Sequence, residues 1–475
     1  MRSGVACAPD PMLSGRWNLA RGLTLSGMSA LPPVLAAQYL RESDYLAWIV
    51  AFSLLPWVMI SQVGLQPGVL AIVGSLGHDA SDILKGTVAR VALRMSASQY
   101  LLIGLSGLIV IVLLAKAGWL ADSLEGLLGH PSIVALLLFA GLLQCLGSVG
   151  NAFMVATGSG RPMALLTALG AGLFIVGAGI ATLAGPKMSG ETLSALVCVG
   201  MAAPTIGVLR ALRNGRYRPG PLPVPSSTQE DIRSQLHRFM GAQAVWVVPG
   251  VLITGLDNIL VTEFDPSSVR VYSVSLAVLA LAGGATGAIA SPFISHLAGF
   301  ATVGGGSETT FGTWDRIKVP LTRLSRMTFV ISAVAFSSCL LLLLAWLWWQ
   351  PSADHPNVAL AIPLLAAGLS IRILTVPLSI LAISARRQRS LFPSAIGEAV
   401  VNASASLLLG YHYGAVGVAG GTFLGSLAAI SLHGWAALHL LKDVPIQRRW
   451  WLQSVLVPAT VLSLAGLATT GALKW

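Results

Sequence analysis

Charge is the first thing this sequence lacks. Of 475 residues only 10% are Asp, Glu, Lys or Arg, against roughly a quarter in a soluble globular domain. So few ionised groups cannot clothe a globule of this length in water, which excludes a soluble protein and leaves an integral membrane protein. Cysteine is scarce too. The four residues Cys7, Cys145, Cys198 and Cys339 show no CxxC spacing, and three lie in apolar runs. They read as small hydrophobes rather than a disulfide framework or a zinc site. Cys7 follows Gly4-Val5-Ala6 with no apolar run before it, so it is not expected to be a lipidation signal. The eight histidines do not cluster. No Walker A, no GxGxxG after a strand and no HExxH occurs, so an ATP-driven pump, an enzyme, a resident metal and a cofactor are not expected. Asn402-Ala403-Ser404 has the form of a glycosylation acceptor but lies inside an apolar run and carries no such meaning.

What is abundant is oil. Hydrophobic residues make up 55% of the chain, with 51 glycines. A helix needs about 20 largely apolar residues to cross a bilayer. Thirteen stretches qualify: 19–40, 44–65, 95–115, 132–157, 162–184, 190–210, 239–262, 270–294, 327–349, 358–383, 391–411, 415–440 and 450–472. From Ser43 to Leu76 the run is too long for one crossing, about 50 Å at 1.5 Å per residue. Its second part, with Gln62, Gly64 and Gln66, is expected to project beyond the membrane.

The 29 basic residues outnumber the 18 acidic ones. In a soluble chain that excess would suggest nucleic acid; here topology accounts for it, and no nucleic-acid partner is expected. With the N-terminus in the cytoplasm, 23 Lys and Arg fall on the cytoplasmic side, five on the other, and Arg372 inside a span. No connection is large: the longest outer one, from Ala117 to Pro131, has about fifteen residues. The Arg/Pro-rich segment 214–234 and the Gly/Ser-rich segment 299–323 read as cytoplasmic linkers.

A shift of 227 residues lays Thr167-Ala-Leu-Gly-Ala-Gly-Leu173 on Ser394-Ala-Ile-Gly-Glu-Ala-Val400 and Tyr45 on Tyr272. It also aligns the basic turns at Arg161 and at Arg387-Gln388-Arg389. A shared offset indicates duplication. The expected organisation is an N-terminal six-helix bundle (1–212), a cytoplasmic linker (213–235), a C-terminal six-helix bundle (236–441) and an additional helix (442–475). Parallel halves of this kind are a transporter architecture, with the substrate path between them.

Few ionisable residues fall inside the spans, and such residues usually mark pathways. Asp257, near the end of span 7, is either an interfacial carboxylate or one lining a central cavity. Asn258 cannot share its face, since helical neighbours lie about 100° apart. Arg372 in span 10 and Glu398 in span 11 are close enough in depth for an ion pair, structural or substrate-facing. Arg21, Arg94 and Arg238 stand at the cytoplasmic ends of spans 1, 3 and 7, where basic side chains commonly snorkel to headgroups. Because spans 1 and 7 head the two halves, Arg21 and Arg238 also suit a cationic vestibule for phosphate. Prolines 32, 33, 56, 204, 249, 292, 363 and 377 interrupt the spans and offer hinges.

Three stretches resemble a known family. They are Leu40-Arg-Glu-Ser-Asp-Tyr-Leu-Ala-Trp48 running on to Gln62-Val-Gly-Leu65; Asp257-Asn-Ile-Leu260 through Val271-Tyr-Ser-Val274; and Gly414-Ala-Val-Gly-Val-Ala-Gly-Gly-Thr422. Together they resemble the Wzx-type polysaccharide flippases of the multidrug/oligosaccharidyl-lipid/polysaccharide (MOP) exporter superfamily. The likeness spans residues 15–440 in layout, and its motifs are short. It implies an all-α polytopic fold of two six-helix bundles forming a V around a cationic cavity, in the bacterial inner membrane. It further implies flipping of an undecaprenyl-pyrophosphate-linked oligosaccharide for lipopolysaccharide or exopolysaccharide synthesis, with a polysaccharide polymerase as a further partner. On matching positions Asp257 would face the cavity, Tyr45 and Tyr272 would stand near the outer turns, and Arg372 would supply positive charge. Proton or sodium coupling would need a carboxylate, Asp257 or Glu398. A thirteenth span departs from relatives with twelve or fourteen. The alternatives are a drug or metabolite antiporter of the same superfamily and, less well matched, a membrane polysaccharide polymerase or ligase. The latter is expected to carry a larger outer loop.

Overall fold

In hydrocarbon every backbone N–H and C=O must be satisfied within its own segment, so long apolar runs become helices. The computed structural model describes residues 11–62, 64–76, 81–116, 126–157, 160–185, 187–214, 225–298, 301–303, 309–311, 314–349, 356–384, 388–439 and 447–472. Cys7, Arg387 and much of both linkers lie outside them. In chain order the helices are α1 (Pro11–Tyr39), α2 (Glu42–Met59), α3 (Leu65–Ser75), α4 (Asp82–Lys116) and α5 (Pro131–Ala156). There follow α6 (Gly160–Ala184), α7 (Gly190–Asn214), α8 (Ser226–Phe264), α9 (Val269–Ala298) and α10 (Trp314–Trp349). The chain closes with α11 (Pro356–Ile373), α12 (Val376–Ser384), α13 (Phe392–His439), α14 (Arg448–Trp451) and α15 (Val457–Ala472). A short antiparallel ribbon joins α9 to α10, β1 (Ala301–Val303) on β2 (Thr309–Phe311), with Ala301 opposite Phe311.

Among the described residues nine helices are long and apolar enough to cross a membrane. Their outer faces carry Leu102, Ile109, Leu183, Leu341 and Leu408, all exposed. A water-facing surface does not tolerate so much apolar area, whereas acyl chains match it. The protein is a multi-pass membrane protein.

Helices overrun the apolar stretches that predict them. α4 begins at Asp82 rather than at residue 95, because helical hydrogen bonding continues past the bilayer edge. The run beginning at Ser43, too long for one crossing, breaks at a 3₁₀ turn (Ile60–Gln62) and at Gly64, whose φ is 87°. A Cβ on Gly64 would sit 2.5 Å from the Met240 Cα, so glycine lets α3 press against α8. Spans 11 and 12 are the two arms of α13, folded at Gly414 (φ 56°, ψ −135°). Most prolines do not break their helices: Pro32, Pro33, Pro56, Pro204 and Pro363 lie within α1, α2, α7 and α11. The side chains of Pro249 and Pro292 lie outside the described residues.

The packing repeats between the halves. α1 packs on α6 in its own half and on α9 across; α8 packs on α13 in its own half and on α2 and α3 across. α5 with α7 is matched by α11 with α13. α2 and α9, which begin 227 residues apart, carry Tyr45 and Tyr272 at the same position. The extra helix α15 lies on α11, where Gly466 fits against Ala367. Cys145, Cys198 and Cys339 are buried in this packing.

Candidate functional site

Between the halves lies a cavity of about 570 Å³, within the range of small-molecule sites. From one half it is walled by Met28, Ser29 and Pro33 of α1, Phe52 and Ser53 of α2, and Gln144 of α5. From the other come Asn258, Ser273, Arg372, Ser379, Glu398 and His433. Most of the wall is apolar. Along α9 it runs from Ser273 to Ala290, about 26 Å of helix, and along α12 it reaches Ile383 at the helix end.

Arg372 is placed by a break. Pro377 has no N–H to offer the Ile373 carbonyl, and the helix stops at Ile373 and restarts at Val376. The Arg372 carbonyl accepts from the Thr375 N–H (3.0 Å) and the Thr375 hydroxyl (2.8 Å), closing the end of α11. Arg372 therefore stands at the C-terminus of a half-helix, where the backbone dipole favours a cation. Its Nε lies 2.7 Å from Glu398 Oε1. The expected ion pair is present, and it is lopsided: the Arg372 side chain is 25% exposed to the cavity, Glu398 only 7%. Beyond this pair the Arg372 guanidinium makes no hydrogen bond among the described residues, and its side chain lines the cavity.

Asp257 corrects an expectation. It is fully buried and does not line the cavity. Its Oδ2 accepts from the Tyr272 hydroxyl (3.1 Å) and the Thr422 hydroxyl (2.8 Å). Thr422 Oγ1 in turn accepts from Asn402 Nδ2 (3.2 Å). One turn from Asn402, Ser406 Oγ donates to the Val418 carbonyl (3.3 Å). Among the described residues Asp257 Oδ1 has no hydrogen-bond partner. The cavity face belongs instead to Asn258, about 100° round the helix. Its amide donates to Ser53 across the halves (3.1 Å) and accepts from Ser273 (3.0 Å). The chain's phase put Asp257 inside the second half and its neighbour between the halves.

The other expected cavity residues are not in its wall either. Tyr45 and Tyr272 are buried, Arg21 is largely buried with its Nε unpartnered among the described residues, and Arg238 is exposed and outside the cavity wall. Tyr45 stands at a contact between the halves. Arg270 lies 4.9 Å over its ring and donates to the carbonyls of Ala37 (2.8 Å) and Leu40 (3.4 Å). The Tyr45 hydroxyl donates to the Val269 carbonyl (3.3 Å). These contacts tie α1 and α2 to α9 at the end of the cavity remote from Ile383.

Thr422, Ser53 and His433 carry no expectation from sequence, and Asn258 and Asn402 none as site residues. His433 Nδ1 meets Ser394 Oγ and the Ala429 carbonyl. The available signal was polar residues recurring four apart in apolar helices, as Asn402–Ser406 and Thr422–Ser426 do.

No protein-family model matches the sequence, and no curated protein matches it. Solved structures do. A multidrug-resistance MATE-family transporter of the MOP superfamily in an inward-facing conformation superposes with TM-score 0.68 at 15% identity, covering 90% of this chain and 98% of that one. A MOP-superfamily transporter from Pyrococcus furiosus, described as having a binding pocket of reverse polarity, gives 0.62 at 15% identity over 92% and 97%. A MATE-family transporter in an outward-facing conformation gives 0.63 at 14% over 92% and 98%. The fold is the one these solved structures share.

Proposed function

We propose that the chain is a flippase for an anionic lipid-linked oligosaccharide, moving an undecaprenyl-pyrophosphate-linked repeat unit across the bacterial inner membrane by alternating access. The observation that carries this reading is the part-exposed guanidinium of Arg372 in the wall of a mainly apolar cavity. A guanidinium more exposed than its counter-ion can offer an anion two parallel donors. An apolar wall suits the rest of an amphipathic substrate. With the arginine-rich side in the cytoplasm, the Arg270–Tyr45 contacts close the periplasmic end, and the cavity reaches toward the cytoplasmic end. Asp257, dry and with one oxygen unpartnered, is the candidate to take up a proton or sodium ion as the halves move.

A second reading is a drug or metabolite antiporter. Its support is specific: Glu398 neutralises Arg372, the wall is mainly apolar, and the similar folds include multidrug-resistance transporters. A deletion strain separates the two. Lipid-linked repeat units held on the inner leaflet, restored by the parent gene but not by Arg372→Ala at equal protein level, support the flippase. Intact surface glycan with new drug sensitivity would overturn it in favour of the antiporter.

A further inference from the structure

We infer that a second cavity, between α10 and the extra C-terminal helix, is a binding site for the headgroup of an anionic phospholipid. The cavity holds about 600 Å³ and lies at the start of the apolar span Ile317–Ala345. Lys318 and Arg326 line it from α10 and Arg449 from α14. Among the described residues none of the three makes an ion pair, and no acidic residue lines the wall. Three like charges in one recess repel each other, an arrangement that an incoming phosphate relieves.

The recess is built rather than accidental. Trp450 is buried, and its Nε1 donates to Thr322 Oγ1 at 3.0 Å, pinning one wall to the other. Trp451 packs edge-on where Gly434 leaves space, fixing α14 on α13. Directly after them the chain makes a π-helical turn, Leu452–Leu456, that brings Gln453 and Ser454 to the recess. π turns are rare and concentrate at functional sites.

A lipid suits the site better than a soluble anion because the polarity runs in one direction. Lys318 sits in the first turn of the span, and Arg326 lies about 12 Å deeper along α10. Phe329 and Pro458 complete the wall toward the bilayer interior. Val319, Leu452 and Leu456, exposed beside the recess, face where acyl chains run. Cations from the rim inward, hydroxyls and amides among them and an open apolar flank match a phosphodiester, glycerol and two chains. Basic pockets between helices at this level bind acidic headgroups by the same chemistry.

The test uses the full chain in phosphatidylcholine nanodiscs, titrated with phosphatidylglycerol, cardiolipin or inorganic phosphate. Retention is read by native mass spectrometry and stabilisation by thermal unfolding. The two acidic lipids should be retained and should raise the melting temperature. Each of Lys318→Gln, Arg326→Gln and Arg449→Gln should weaken them roughly fivefold, and the triple variant on the order of a hundredfold. Removing three exposed arginines elsewhere, Arg210→Gln, Arg213→Gln and Arg233→Gln, should leave retention unchanged. Equal retention by the Lys318/Arg326/Arg449 variant, an equal loss in the control variant, or equal retention of added phosphatidylcholine overturns the assignment. So does saturation by inorganic phosphate, which would make this a soluble-anion site. Should the triple variant fail to fold, a single variant that binds like the parent is enough to overturn it.

Discussion

The Arg372–Glu398 pair is asymmetric, and its asymmetry can be measured. At 2.7 Å and an effective dielectric of about 20, the attraction is on the order of 6 kcal/mol before desolvation is subtracted. What remains when one partner goes depends on where the other sits. Arg372→Ala leaves Glu398, 7% exposed, as an unpaired carboxylate in the protein, a loss of about 3–5 kcal/mol. Glu398→Ala leaves a guanidinium 25% exposed, which cavity water can solvate, so its cost should be nearer about 1–2 kcal/mol. The double variant removes both charges and should cost less than the sum, with a coupling of about 1–3 kcal/mol. The assay is thermal unfolding of the four purified proteins in one detergent. Binding of a prenyl pyrophosphate gives a second readout: Glu398→Gln frees the whole charge of Arg372 and should tighten it, while Arg372→Lys keeps the charge but loses the fork and should weaken it. Equal destabilisation by the two single variants, or coupling below about 0.5 kcal/mol, would refute the reasoning.

Arg270→Ala removes two hydrogen bonds to carbonyls and a cation–π contact, about 2–3 kcal/mol of closure. Spin labels flanking α1 and α9 at that end should show a population with longer distances, and an unchanged distribution would deny Arg270 the role of seal. Asp265, in the connection from α8 to α9, is pushed up by burial, but donors from Ser267, Ser268, Ala415 and Asn357 outweigh this and hold its carboxyl low. A depressed folded value gives stability present above the unfolded value, near pH 3.9, and lost as pH falls through the folded one. The parent should thus lose melting temperature below about pH 4 more steeply than Asp265→Asn; parallel curves would remove Asp265 from the acid response. Gly414→Ala puts a methyl 3.0 Å from Asp265 Cβ at a φ of 56°, and should cost about 1–3 kcal/mol; an unshifted melting temperature would mean that the fold between the arms of α13 relaxes freely.

Much of the architecture was legible because hydrocarbon leaves little choice. Apolar runs set the helices, and one offset, anchored by Tyr45 and Tyr272, matched α2 to α9. The ion pair was legible because helix depth can be counted from a short turn. Helical phase was not. Where lipid, core and cavity walls are all mainly apolar, spacing does not say which face looks inward, so the cavity position that the resemblance implies for Asp257 falls to Asn258, which spacing places only off the Asp257 face. Asn402 was discounted as an acceptor sequence inside a span, when its position there was the signal: a buried amide in hydrocarbon needs a partner, and it has Thr422. Arg270 looked like an ordinary outer-loop cation, since its carbonyl acceptors belong to the other half of the chain.

The cavity cation and the buried carboxylate are joined through one piece of backbone. Glu398 and Asn402 stand four residues apart on the first arm of α13, hence on one face. Glu398 holds Arg372 in the cavity wall, and Asn402 reaches Asp257 through Thr422 on the second arm. A helix is stiff along its axis, so a charge change at Asp257 that moves Thr422 acts on Asn402 and, one turn away, on the counter-ion of Arg372. In the proposed flippase, an ion arriving at Asp257 and a headgroup arriving at Arg372 therefore bear on the same helical arm. Coupling between sites needs an element that both bias, and α13, hinged at Gly414, is placed to be that element.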